Sequence, residues 1–214
     1  MASCCDPNGL TGVFNPDRAR SDARAYRRNG LDRRSRVIRD FLVAKGIAGG
    51  TILEIGGGVG ALQLDLIRAG AARAVNVEIS PAYEEPARDL AVEAGVADRV
   101  DRRVGDFAAN CQSIEAADAV VLHRVVCCYP NLAALLRPAA AHARRWLVLT
   151  FPAERWWVRL GVGMVNAGQR LLRTKFRFFY HEPAAIVSIA RAAGLEPVLV
   201  RRGLFWETIA LERA

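Results

Sequence analysis

Lysine is almost missing from this chain: Lys45 and Lys175 are two of its 30 basic side chains, leaving 28 arginines. Neither lysine follows a tyrosine in a Tyr-x-x-x-Lys pattern, so one common hydride-transfer constellation is absent. No Cys-x-x-Cys occurs, which argues against a structural zinc site, and no metal is expected. The five cysteines are odd in number, and Cys4-Cys5 and Cys127-Cys128 are vicinal, a poor geometry for ordinary disulfides. With Cys111 they read as thiols in a reducing compartment; the other reading is that the two pairs meet and bind a soft metal or metalloid. No apolar run approaches the roughly 18 residues that span a bilayer. Met1 to Asn8 lacks the basic-then-apolar pattern of a signal peptide, and a cytoplasmic protein is expected.

What is present suits one globular domain: 214 residues, 52% hydrophobic and 24% charged. The net charge of +8 has two readings, a compositional bias toward arginine or attraction to an acidic substrate, a membrane surface or nucleic acid. Nine arginines fall in residues 18–39, but Asp17, Asp22, Asp32 and Asp40 interleave with them. That mixture describes a solvated helical surface, and a nucleic-acid partner is not expected.

Two helices are predicted at 16–29 and 32–45, with Asp17 and Asp32 as N-caps and Gly30 and Gly46 as stops. They form a helical cover over residues 1–50. From 51 to 214 short apolar runs alternate with helical stretches, the rhythm of a doubly wound, mostly parallel α/β sheet. Strand candidates are Thr51–Ile55, Ala74–Glu78, Val100–Val104, Ala119–His123 and Trp146–Phe151, then a closing hairpin of Glu196–Arg202 and Leu204–Arg213 turning at Gly203. Helical stretches fall at 61–69, 81–94, 132–143 and 183–193, with a short piece near 111–116. An insertion, 152–181, interrupts the rhythm. Residues 155–173 within it are amphipathic, which fits a packed helix, a lid over an apolar substrate, or a helix lying on a membrane surface.

The segment richest in chemistry is Glu54-Ile55-Gly56-Gly57-Gly58-Val59-Gly60, where an apolar strand runs through glycines into a helix. Glycines let the backbone turn tightly and approach a ligand without a Cβ, and the helix start offers N–H groups to an anion. Gly56-x-Gly58-x-x-Ala61 would also pass as a dinucleotide fingerprint. Glu54 weighs against that: a carboxylate there repels a pyrophosphate and attracts an amino group. Glu78, ending the second strand, suits the cis-diol of a ribose in either kind of cofactor.

Glu54-x-Gly56-x-Gly58-x-Gly60 resembles the first motif of the class I (Rossmann-like) S-adenosylmethionine-dependent methyltransferase superfamily, and the strand plan over 51–214 is similar to that family's seven-stranded sheet with its antiparallel hairpin. The resemblance implies S-adenosylmethionine as cofactor, with Glu54, Gly56, Gly58 and Gly60 around its methionine part and Glu78, with Ile79 beside it, on the ribose. Val104-Gly105-Asp106-Phe107 is similar to the family's Gly-Asp-aromatic motif, which implies Asp106 on the adenine amino group and Phe107 beside the ring. Tyr26 falls in a segment that often covers the cofactor.

After the fourth strand, His123-Arg124-Val125-Val126-Cys127-Cys128-Tyr129-Pro130 occupies the loop that faces the transferred methyl group in this family. It has neither the Asn/Asp-Pro-Pro-aromatic run of base amino-methylating enzymes nor the Pro-Cys of cytosine C5 enzymes. His123 is the candidate general base, because a neutral imidazole can take a proton from an attacking hydroxyl; the alternative is a histidine held by backbone at a strand end. Tyr129 is the candidate for orienting substrate, and His181 could reach the same mouth. This loop and the inserted helix loosely resemble those of tetrapyrrole and quinone methyltransferases. The expected activity is methyl transfer to a small, apolar-bodied molecule, at oxygen. Open beside it are an NAD(P)-dependent oxidoreductase, a non-catalytic S-adenosylmethionine-binding protein and a thiol-dependent metalloid methyltransferase.

Overall fold

The computed structural model describes residues 9–214, so Cys4 and Cys5, one half of the alternative reading in which two thiol pairs meet, lie outside it. Three helices come first: α1 (Leu10–Val13), α2 (Pro16–Asn29) and α3 (Arg33–Ala44). Strands and helices then alternate as β1 (Thr51–Ile55), α4 (Ala61–Arg68), β2 (Arg73–Glu78), α5 (Glu84–Glu93), β3 (Val100–Val104), α6 (Phe107–Asn110), β4 (Ala117–His123), α7 (Leu132–His142) and β5 (Ala143–Pro152). The chain closes with α8 (Trp156–Leu171), α9 (Pro183–Ala192), β6 (Leu195–Arg202) and β7 (Trp206–Arg213).

One seven-stranded sheet runs β3-β2-β1-β4-β5-β7-β6. The first five strands are parallel, and β7 inserts antiparallel between β5 and β6. The strands are apolar almost throughout because both faces are covered. Along β4, Ala119 and Val121 join one core with α2, α3 and α4, while Val120 and Leu122 join the other with α7 and α9. The strand order reverses between β1 and β4, and in open α/β sheets a ligand crevice forms outside the carboxyl ends of the strands at such a point.

Local chemistry shifts some expected boundaries. Asn15, not Asp17, caps α2 by accepting from the Arg18 N–H, because Pro16 occupies the first helical position and has no N–H to offer. Asp32 caps α3 as expected, accepting from the N–H groups of Arg34 and Ser35 at 2.7 and 3.1 Å. The closing hairpin turns over Gly203 to Phe205, and β7 starts at Trp206 rather than Leu204. There the Gly203 N–H donates to the Trp206 carbonyl at 2.9 Å, and a Cβ on Gly203 would lie 2.7 Å from that oxygen. The inserted helix α8 buries one side chain, Val158, so it is not a packed core helix.

Candidate active site

The turn after β1 is held by glycine geometry. Gly56 has φ +66°, and a Cβ there would meet a Val125 methyl at 2.7 Å; Gly58 has φ +56° and lies under the Tyr83 ring. Gly57 matters for a different reason: a Cβ there would collide with Asn76 Nδ2 and fall 2.7 Å from Glu54 Oε2.

This turn forms one wall of a cavity of about 510 Å³. Glu54, Gly56, Gly58, Glu78, Ile79, Tyr26 and His123 all line it, so the structure brings these expected residues together. Glu78 accepts from the Gly58 N–H at 2.9 Å and the Ser80 N–H at 3.0 Å, tying the end of β2 to the glycine turn. Burial pushes its carboxyl above the usual range, against the pull of those backbone donors and of Arg102. Glu54 is buried, its Oε2 has no hydrogen-bond partner, and burial raises its carboxyl to about 8 despite the nearby Arg102. A buried orphan carboxylate oxygen at a cavity wall is an acceptor waiting for a donor.

His123 closes β4 opposite the turn. Its Nε2 lies 3.8 Å from Asp32 Oδ2 and 3.4 Å from Ser35 Oγ, while its Nδ1 has no partner. Burial depresses the imidazole below its ordinary value and Asp32 offsets this only in part, leaving a neutral ring at pH 7. Asp32, held low by His123 and by the Ser35 and Arg34 N–H groups, stays ionised beside it. The pair sets an ionised carboxylate 3.8 Å from a buried imidazole.

Gly60, Asp106, Phe107 and Tyr129 are not on the cavity walls. Gly60 caps α4 instead. Asp106 is the N-cap of α6, accepting from the Ala108 N–H at 3.0 Å, and its other oxygen accepts from the Tyr129 hydroxyl at 2.9 Å. Phe107 is buried edge-on against His142 at 5.4 Å. Tyr129 therefore faces Asp106 rather than His123. His181 is likewise engaged, through Nε2 with the Tyr129 carbonyl at 3.0 Å. Tyr26 lines the cavity while its hydroxyl donates to Asp65 at 2.6 Å.

Several walls were not expected: Asp32, Ser35, Phe14, Arg124, Phe178 and Trp206. Asp32 carried only the signature of a helix cap. Trp206 enters because β7 is antiparallel and pairs with Pro152, so its first residue lands on the carboxyl edge of the parallel strands, where the glycine turn also lies. Arg124 holds φ +61°, a conformation uncommon outside glycine, and its guanidinium stacks 6.0 Å above Trp206. Cys127 and Cys128 are cavity walls with sulfurs 3.9 Å apart, and their mutual contact and burial push the Cys128 thiol upward, away from thiolate. Among the described residues no group of three or more His, Cys, Asp or Glu could hold a metal ion.

Residues 24–200 match the family model described as a methyltransferase domain, whereas no curated protein matches the chain. The fold is similar to that of magnesium protoporphyrin IX methyltransferase from Synechocystis PCC 6803 with bound SAH (TM-score 0.76, 21% identity, covering 96% of this chain and 98% of that one). It is also similar to an O-methyltransferase family protein from Burkholderia thailandensis (TM-score 0.65, 18% identity, 85% and 57% covered). A third likeness is to an O-methyltransferase family 2 protein from Planctomyces limnophilus in complex with apigenin (TM-score 0.61, 16% identity, 87% and 63% covered). The family match settles what Gly56–Gly60 and Glu78 left open between hydride and methyl chemistry: this chain belongs to the methyltransferase-domain family, within the class I S-adenosylmethionine-dependent methyltransferase superfamily.

Proposed function

We propose that the cavity holds S-adenosylmethionine and that the enzyme methylates an oxygen of a small acceptor with an apolar body. The observation carrying this reading is that one cavity joins Glu54, Glu78 and the glycine turn to His123 and an apolar wall of Phe14, Val125, Phe178 and Trp206. The residues present fit the cofactor: orphaned Glu54 Oε2 suits a cationic amino group, Glu78 a ribose diol, and the Cβ-free turn a close approach. Bound there, the cofactor supplies an electrophilic methyl on a sulfonium. Asp106 would take the adenine amino group only after Tyr129 releases it.

The protein's own contribution is placement and one proton. Its walls hold the acceptor oxygen in line, and such orientation supplies on the order of 7–11 kcal/mol of a barrier. The His123 imidazole, on the cavity wall, accepts the acceptor's proton, and Asp32, 3.8 Å from Nε2, steadies the imidazolium that results. The test is acceptor-dependent release of S-adenosylhomocysteine. Hydroxylated aromatic acceptors should drive turnover and their strongly polar analogues should not, whereas release indifferent to the acceptor would contradict the reading.

Two further outcomes follow. Glu54 is protonated at pH 7 when its carboxyl stands at about 8, and a cationic ligand prefers the carboxylate. Cofactor binding is then linked to proton release, and S-adenosylhomocysteine affinity should climb with pH toward 8 by up to about tenfold per pH unit. Calorimetry in two buffers of different ionisation enthalpy should detect the proton in wild type and not in Glu54→Gln; a wild-type affinity flat across this range would sink the assignment. Tyr129→Phe removes the hydroxyl that competes for Asp106, so it should tighten binding by up to about tenfold, the worth of one net hydrogen bond. Weaker binding instead would make Tyr129 an aid to the cofactor.

A further inference from the structure

Helix α8 carries an apolar stripe that the other described residues leave uncovered. Its inward side is Val158, Val162 and Asn166, and Asn166 is anchored by paired amide bonds to the Phe178 backbone, each 2.8 Å. At helical spacing, Trp156, Leu160, Met164 and Leu171 share the outward face and are 72, 54, 63 and 85% exposed. The hairpin turn extends the patch. The Ala153 N–H donates to the Phe205 carbonyl at 3.0 Å, just before α8 begins, and Leu204 and Phe205 are themselves exposed. Single exposed apolar side chains are ordinary; a continuous row marks an interaction surface.

Charge identifies the partner. Residues 155–181 contain Arg155, Arg159, Arg170, Arg173, Lys175 and Arg177 and no Asp or Glu. A second copy of a chain with net charge +8 would bring more cations to this face, not the anions it lacks. An anionic lipid surface offers both requirements, an apolar layer for the stripe and headgroups for the cations around it. No helix among the described residues is long and apolar enough to cross a membrane, so α8 would lie in the interfacial plane.

We propose that α8 and the 203–205 turn dock the protein on an anionic lipid surface. The same contact sets the cavity beside the lipid, because Phe178, anchored by α8, and Trp206, next to the turn, are both cavity walls. An apolar acceptor dissolved in the lipid would then enter without crossing water. The docking stands independently of the acceptor's chemistry.

Co-sedimentation of the full chain with phosphatidylcholine vesicles, with and without phosphatidylglycerol, tests it. Binding should require phosphatidylglycerol, weaken as salt rises, and vanish in the triple variant W156S/L160S/M164S. R170E/R173E should lose roughly fivefold in partition for each cation removed from the headgroups. Both variants should keep wild-type S-adenosylhomocysteine affinity, which shows that they fold and separates this proposal from the cofactor assignment. Indifference to phosphatidylglycerol, or a triple variant that binds like wild type, would overturn it. So would a dimer in solution that the triple variant abolishes, with no vesicle binding, which would give the face to a second copy.

Discussion

Gly58→Val should weaken S-adenosylhomocysteine binding on the order of a hundredfold while the protein still melts cooperatively. Two hydrogen bonds pin this residue, and a ring leaves no room for a side chain. Its N–H donates to Glu78, its carbonyl accepts from Arg102 at 3.1 Å, and a Cβ would stand 3.2 Å from the Tyr83 ring. Tyr83 cannot yield freely, because its hydroxyl donates to Asp22 at 2.9 Å. A β-branched residue at φ +56° carries about 1–3 kcal/mol of strain. The turn relieves that strain by swinging the peptide away from Glu78, and the ribose acceptor loses its backbone support. Gly58→Ala should show a smaller loss of the same kind. Titration calorimetry paired with thermal melts separates lost binding from lost folding; full affinity in the valine variant would remove the turn from the cofactor site.

His123→Ala should lower turnover by about 10²–10⁴, the span of a single general base, with cofactor affinity nearly intact. The pH profile adds a readout that a purely structural role would not move. Because burial depresses His123, the acid limb of the activity profile at saturating cofactor, where the Glu54 effect on binding drops out, should fall below the ordinary histidine value of about 6.5. Asp32 favours the charged imidazole, so Asp32→Asn should shift that limb further to acid and slow turnover, since the imidazolium loses its counter-charge. A variant at position 123 with wild-type turnover would reduce His123 to a strand-end histidine.

Much of this was legible in sequence because the chemistry sits where strands end. β1, β2 and β4 are short apolar runs finishing at the glycine turn, Glu78 and His123, and parallel topology carries those ends to one edge. What local pattern does not contain is the choice of partner. Asp106 and Tyr129 each looked ready for a ligand, yet they bond one another across 23 residues of chain. Trp206 reached the cavity only through the reversal of β7, a property of strand order. For α8 the periodicity showed a stripe but not which side the body would cover; the inward side proved to be Val158 and Asn166, leaving the tryptophan row outside.

The most direct measurement is a crystal structure of the chain grown with S-adenosylhomocysteine. It should show the amino group on Glu54, the ribose on Glu78, and the purine at Asp106 with the Tyr129 hydroxyl turned away. A ligand lodged elsewhere, with Tyr129 still on Asp106 and Glu78 still engaged only with Gly58 and Ser80, would contradict the placement of the methyl donor.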